Sequence, residues 1–188
     1  MTTRHLIGLA AAALWLTSCQ SNAYHIKGTA ESLSDGQKVY LSAAPGTLAP
    51  CDSAIVTQGA FRFDGETDST CAATIYAKHN AAQSIDFLIT PGSAEIVLSA
   101  TPGQSRISGS KVHDEWQAMT DQLAIHGNRL RQLVKASSSL TDSGQVALLT
   151  EARQIEQQMR ACIVSTARRN ADNALGRFIA THYTDSLP

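Results

Sequence analysis

The sequence predicts an α+β protein: an antiparallel β-sandwich of about eight short strands, followed by an α-helical hairpin and a short terminal helix. Two observations predict it. Residues 24–109 alternate apolar and polar side chains in short runs punctuated by glycine and proline, the pattern of half-buried strands. From Ser110 onward the apolar residues recur every three or four positions, the period of a helix. The sandwich is therefore assigned to 24–109 and the helical segment to 110–188. Residues 1–18 read as a leader and 19–23 as a short tether.

The leader opens with Arg4 and an apolar run from Leu6 to Leu16. That run is too short to span a bilayer, which takes roughly 20 apolar residues. A charged start and a short apolar core are the pattern of a signal peptide. The run ends in Leu16-Thr17-Ser18-Cys19, which resembles the lipobox of bacterial lipoproteins: an aliphatic residue, two small ones, then the cysteine that is acylated and becomes the new N-terminus. The resemblance implies lipidation of Cys19 and a membrane anchor. Buried acyl chains contribute about 0.8 kcal/mol per methylene, so two or three chains hold a protein almost permanently. Gln20, Ser21 and Asn22 bear no acidic charge, which points to an outer-membrane anchor with the body in the periplasm, exposure on the cell surface being the alternative.

Tyr24–Gly28 begins the strand series, and Val39–Leu41 comes after a turn at Asp35-Gly36. Ala54–Val56 and Phe61–Phe63 flank Thr57-Gln58-Gly59-Ala60, a tight-hairpin signal in which glycine takes positive φ. Phe61 and Phe63 alternate with Arg62 and Asp64, so one face is expected buried and the other wet. Ala73–Tyr76 comes next. Ile85–Ile89 and Glu95–Leu98 are joined through Pro91-Gly92, and Arg106-Ile107 closes the set after Pro102-Gly103.

The helical segment opens at Ser110, a candidate N-cap, with Asp114 and Glu115 suited to the first turn. Val112, Trp116, Met119, Leu123, Leu130 and Leu133 form one stripe, with His126 in the missing beat. Ser137-Ser138-Ser139 breaks the helix. A second starts near Asp142, with the stripe Leu148, Ala152, Ile155, Met159 and Cys162, and a short last helix carries Leu175, Phe178, Ile179 and Tyr183. Two facing stripes joined by a short loop predict an antiparallel hairpin.

Composition narrows the function classes. Without the leader, 14 Lys+Arg stand against 16 Asp+Glu, since Arg4 is the one charge removed from 15 and 16. Such a near-neutral chain predicts no nucleic-acid partner and no strong overall attraction to anionic lipid. Nothing in the sequence calls for a cofactor. No Gly-x-Ser-x-Gly nucleophile motif and no glycine-rich phosphate loop occurs, and catalytic and metal residues are accordingly assigned to none. His25, His79, His113, His126 and His182 lack zinc-type spacing, and His113-Asp114-Glu115 reads as a solvated first turn. Besides Cys19 there are Cys51, Cys71 and Cys162. Export favours pairing. The expected strand order brings Cys51 and Cys71 to one end of the sheet, where a disulfide would close a loop of roughly 20 residues and contribute on the order of 3 kcal/mol. Two unpaired thiols and a redox-active pair are the alternatives. Cys162 reads as a buried, inert thiol or as a thiol that pairs with a partner chain.

The runs Tyr24–Gly28, Asp35–Leu41, Asp52–Val56, Gly59–Gly65, Phe87–Ile89 and Ala94–Ile96 together resemble a domain of unknown function that forms the N-terminal module of many envelope lipoproteins of Gram-negative bacteria. In those proteins a helical segment comes next, then a thioredoxin-like domain of the alkyl-hydroperoxide-reductase and thiol-specific-antioxidant type. Asn173–Phe178 is similar to the helix before that domain, with Ala174 where proline is common. No Cys-x-x-Cys occurs, so the redox activity of the longer relatives is not carried over. The expectation is a non-enzymatic, lipid-anchored binding or scaffold module with an envelope protein as partner, for which the resemblance suggests a thioredoxin-like protein. The alternatives are an accessory of periplasmic thiol-disulfide metabolism that uses a body cysteine, or the remnant of a longer thioredoxin-domain lipoprotein.

Overall fold

The structure, a computed structural model, describes residues 22–43, 49–78, 80–137 and 142–183. Cys19 and His79 lie outside the described residues. Eight strands precede three helices: β1 (Ala23–Thr29), β2 (Lys38–Ser42), β3 (Asp52–Ile55), β4 (Ala60–Glu66), β5 (Cys71–Ala77), β6 (Asn80–Ile89), β7 (Gly92–Val97), β8 (Arg106–Ser108), then α1 (Lys111–Ser137), α2 (Asp142–Arg169) and α3 (Ala174–His182). The strands form two four-stranded sheets, in the orders β4-β1-β7-β8 and β3-β2-β5-β6. The expected α+β sandwich is therefore present. Its pairing is antiparallel except for β1 and β7, which run parallel.

The sheets meet through their alternating apolar faces. Ile26, Phe61, Phe63, Ala94, Ile96 and Ile107 of the first are buried, as are Val39, Leu41, Ala73, Ile75, Ile85 and Phe87 of the second. Arg62 and Asp64 stay on the wet face, where Arg62 and His25 hydrogen-bond the Asp64 carboxylate and hold its pKa down at about 2. Two aromatic rings lie over cross-strand glycines. Phe61 pairs with Gly28 and Tyr24 with Gly65, and a Cβ on Gly28 would sit 2.0 Å from the Phe61 ring.

Two turns do something other than expected. Thr57-Gln58-Gly59-Ala60 is tight, with Gln58 and Gly59 both at positive φ, yet it joins β3 of one sheet to β4 of the other. Pro91-Gly92 likewise carries the chain between sheets, from β6 to β7. Both are corners of the sandwich rather than links within a hairpin.

Ser110 caps α1, its hydroxyl accepting from the His113 amide. Trp116, Met119 and Leu133 of the expected stripe are buried. The second helix buries Ile155, Ile163 and Thr166, with Asn170 buried just past its end, so its core face extends further along the chain than the stripe read from Leu148 to Cys162. Asn173 caps α3 with its side chain, and Leu175, Phe178 and Ile179 are buried beneath it.

His113 corrects another expectation: it is 2% exposed, not a solvated first-turn residue. Its Nε2 lies 3.0 Å from the Leu88 carbonyl, which only accepts, so Nε2 carries the hydrogen, while Nδ1 faces the Ser110 hydroxyl at 2.9 Å. Burial pushes its pKa below the ordinary imidazole value, partly offset by the Leu88 carbonyl. Because the folded pKa is depressed, this neutral histidine stabilises the fold fully above the unfolded value of about 6.5 and progressively less as pH falls below it. Denaturant melts are expected to show stability decreasing from pH 7 to pH 5, and His113→Gln should remove that component. In the sheet, Gly28→Ala should cost about 1–3 kcal/mol through displacement of Phe61, measured by urea unfolding.

Candidate functional site

The chemistry-bearing residues gather at the end of the sandwich where β1 begins. The Asn22 side chain donates to Asp68 Oδ1 at 2.8 Å, and the Asn22 carbonyl accepts from the Thr67 amide at 2.9 Å. These bonds fix the start of β1 against the β4–β5 turn. Cys71 opens β5 at this end, and Cys51 lies beside the close of β2, its amide and thiol both on the Leu41 carbonyl at 2.8 and 3.3 Å. The Tyr24 phenol sits among them. Its pKa is raised by burial first, then by the negative charge of Asp52, Cys51, Cys71 and Asp64.

Of the alternatives left open at Cys51 and Cys71, the structure has the unpaired thiols: Cys51, Cys71 and Cys162 are free cysteines. Both cysteines do lie at one end of the sheet, as anticipated, but β2 runs between β3 and β5. Two strand spacings amount to roughly 10 Å, beyond the roughly 4.4–6.8 Å between Cα atoms that a disulfide takes. Cys71 is also a poor nucleophile. Burial raises its pKa, a hydrogen bond from Thr67 only partly offsets this, and Cys51 raises it further. Cys162 is half-buried on α2.

Against this end lies α3. A cleft of about 360 Å³ separates the β4–β5 turn, with Asp68, Ser69 and Thr70, from the α3 face that carries Arg177, Phe178, Thr181 and His182. The His182 ring stacks on Phe178 at 4.1 Å and 18°, and its Nδ1 donates to the Phe178 carbonyl at 3.0 Å. Sequence reasoning did not find this cleft. Its walls are more than a hundred positions apart in the chain, and neither carries a motif.

Among the described residues no three His, Cys, Asp or Glu side chains form a group able to hold a metal ion, and no helix is long and apolar enough to cross a membrane.

A two-sheet sandwich with an appended helical hairpin defines the structural class. Residues 24–116 match the family described as "Domain of unknown function (DUF4369)", so the sandwich and the first turns of α1 belong to that family. No curated protein matches the chain. Among solved structures, the CBM25-1 of a beta/alpha-amylase from Paenibacillus polymyxa is similar over 48% of this chain and 93% of its own, with 13% identity and a TM-score of 0.34. At that score the likeness carries no weight for fold or function.

The thiol geometry gives a direct check. Iodoacetamide at pH 8 should label exposed Cys51 ahead of Cys71, read by peptide mass spectrometry. Faster labelling of Cys71 would contradict its placement.

Proposed function

We propose that the protein is a lipid-anchored, non-enzymatic binding module of the cell envelope, tethered through Cys19 to the outer membrane with its body in the periplasm, and that the tip of the helical hairpin holds a partner protein.

The observation that carries this reading is the reach of the hairpin. Gly109, two residues before α1, lies beside Ser93 and Ala94 at the end where β1 begins, and α1 runs from there along β6. Ala124 is its last residue lining the groove against β6 and the β7–β8 turn. The remaining 13 residues, from Ile125 to Ser137, extend about 20 Å farther and pack along α2, with Leu133 buried and Arg129 paired to Glu151 at 2.6 Å. That ion pair sets the antiparallel register and brings Val134 level with Val146. These two side chains are 70% and 65% exposed, and Leu149 nearby is 55% exposed. Exposed apolar residues on a projecting element suit a protein partner.

The competing reading, an accessory of thiol-disulfide metabolism, has less support, because the raised pKa of Cys71 opposes thiolate formation at neutral pH.

The test places a photo-crosslinking residue at Val134 or Leu149 in the full-length protein expressed in an envelope-forming host. One dominant adduct is expected, lost on Val134→Asp or Leu149→Asp with no change in melting temperature. Adducts that depend instead on Cys51, Cys71 or Cys162 would sink the proposal in favour of the thiol accessory.

A further inference from the structure

We infer that the cleft between the β4–β5 turn and α3 seats the headgroup of a zwitterionic phospholipid, phosphoethanolamine in class, from the leaflet that carries the anchor. This rests on the proposed acylation of Cys19.

The tether places the cleft. Only Gln20 and Ser21 separate Cys19 from Asn22, and Asn22 is bonded to Asp68, one wall of the cleft. Three residue steps span about 10 Å when extended. Asp68 therefore lies within reach of the headgroups around an acylated Cys19.

The walls carry opposite charge. Asp68 stands on the turn and Arg177 on α3, and no ion pair joins them. Asp68 accepts one neutral hydrogen bond, from Asn22 to Oδ1, and its Oδ2 meets no donor among the described residues. The Arg177 guanidinium has no carboxylate partner among them either. A phosphodiester monoanion matches a guanidinium fork through paired hydrogen bonds. A primary ammonium brings donors that a carboxylate accepts. Phosphoethanolamine carries both, and the cleft of about 360 Å³ between the two walls is where such a group would sit. Ser69 and Thr70 add hydroxyls on the turn side, and the Phe178–His182 stack gives a flat apolar wall for the glycerol carbons.

The same arrangement discriminates. A choline headgroup has no N–H to give Asp68, and a phosphoglycerol headgroup has no cation. The near-neutral chain also needs no general attraction to an anionic surface, because the ligand is itself neutral overall.

The experiment titrates full-length protein in detergent with glycerophosphoethanolamine, glycerophosphocholine and glycerophosphoglycerol, reading the amide resonances of residues 67–70 and 174–182. Glycerophosphoethanolamine should shift them saturably, and the other two should bind roughly tenfold more weakly or worse. Asp68→Asn and Arg177→Gln should each weaken binding by a similar factor while distant resonances stay in place. In nanodiscs of phosphatidylcholine, amide exchange over 174–182 should slow when phosphatidylethanolamine is included. Equal affinity for all three headgroups, or no shift, overturns the inference. Mass spectrometry of the N-terminal peptide from the same preparation separates the two readings. Acylated Cys19 without headgroup binding removes the cleft proposal alone. Unmodified Cys19 with binding removes the anchor and identifies a free ligand in place of a membrane lipid.

Discussion

The fold depends on how α1 closes the open side of the sandwich. β6 is an edge strand of one sheet and β8 an edge strand of the other, and α1 packs on both. An exposed edge presents unpaired amides and carbonyls and invites pairing with another chain. Here the helix supplies the missing partners. His113 Nε2 donates to the Leu88 carbonyl and Trp116 Nε1 to the Asp86 carbonyl, at 3.0 and 3.1 Å. These two carbonyls are two residues apart on the strand, and their donors three apart on the helix, about one turn. On the other sheet the Gln117 side chain accepts from the Ile107 amide at 2.8 Å. Adjacent positions 116 and 117 thus serve opposite sheets because neighbours on a helix diverge by about 100°. Leaving either carbonyl of β6 buried and unmet would cost about 1–3 kcal/mol, so the side chains that meet them do more than fill space.

That closure also positions the last helix and frees the hairpin. Phe178 of α3 packs edge-on against Trp116, with ring centroids 5.9 Å apart, so α3 is held by the residue that caps the sheet. The α3 face that lines the cleft is thereby set opposite the β4–β5 turn. Because edge-capping is complete by Gln117 and packing on the sandwich by about Ala124, the rest of α1 is released to form the projecting hairpin. One helix therefore carries both the joint that holds the domain together and the arm that leaves it.

Much of this was legible in the sequence, and the failures have common causes. Alternation at Phe61–Asp64 gave a correct strand because a two-sided environment writes a period of two. The two long helices were equally readable from their apolar period, whereas the helix break at Ser137-Ser138-Ser139 falls largely on residues outside the described ones. Gln58-Gly59 specified a tight turn but not which sheet each flanking strand joins, since that choice is made by packing across the core. The parallel pairing of β1 with β7 is invisible for the same reason. His113 looked solvated because Asp114 and Glu115 flank it, although a single helical position can turn inward between two that do not. Cys51 and Cys71 were correctly brought to one end, but the placement of β2 between their strands was not readable from spacing. The cleft of Asp68, Arg177 and His182 left no local trace at all.

The two ends of the molecule differ in physical character. The end where β1 begins carries Asp52 and Asp64 near Tyr24, whose phenol pKa is raised by burial first and then by their negative charge. Burial at this end also disfavours a thiolate at Cys71. Arg177 supplies positive charge on one wall of the cleft, and Asp68 supplies negative charge on the other. A ligand with both signs matches that arrangement, whereas a purely anionic one matches only half of it. The far end has the opposite logic. Its hairpin exposes Val134, Val146 and Leu149, apolar side chains whose removal from water would be favourable. The chain thus has an oppositely charged cleft at the end where β1 begins and exposed apolar side chains on the helical hairpin, and α1 joins the two regions.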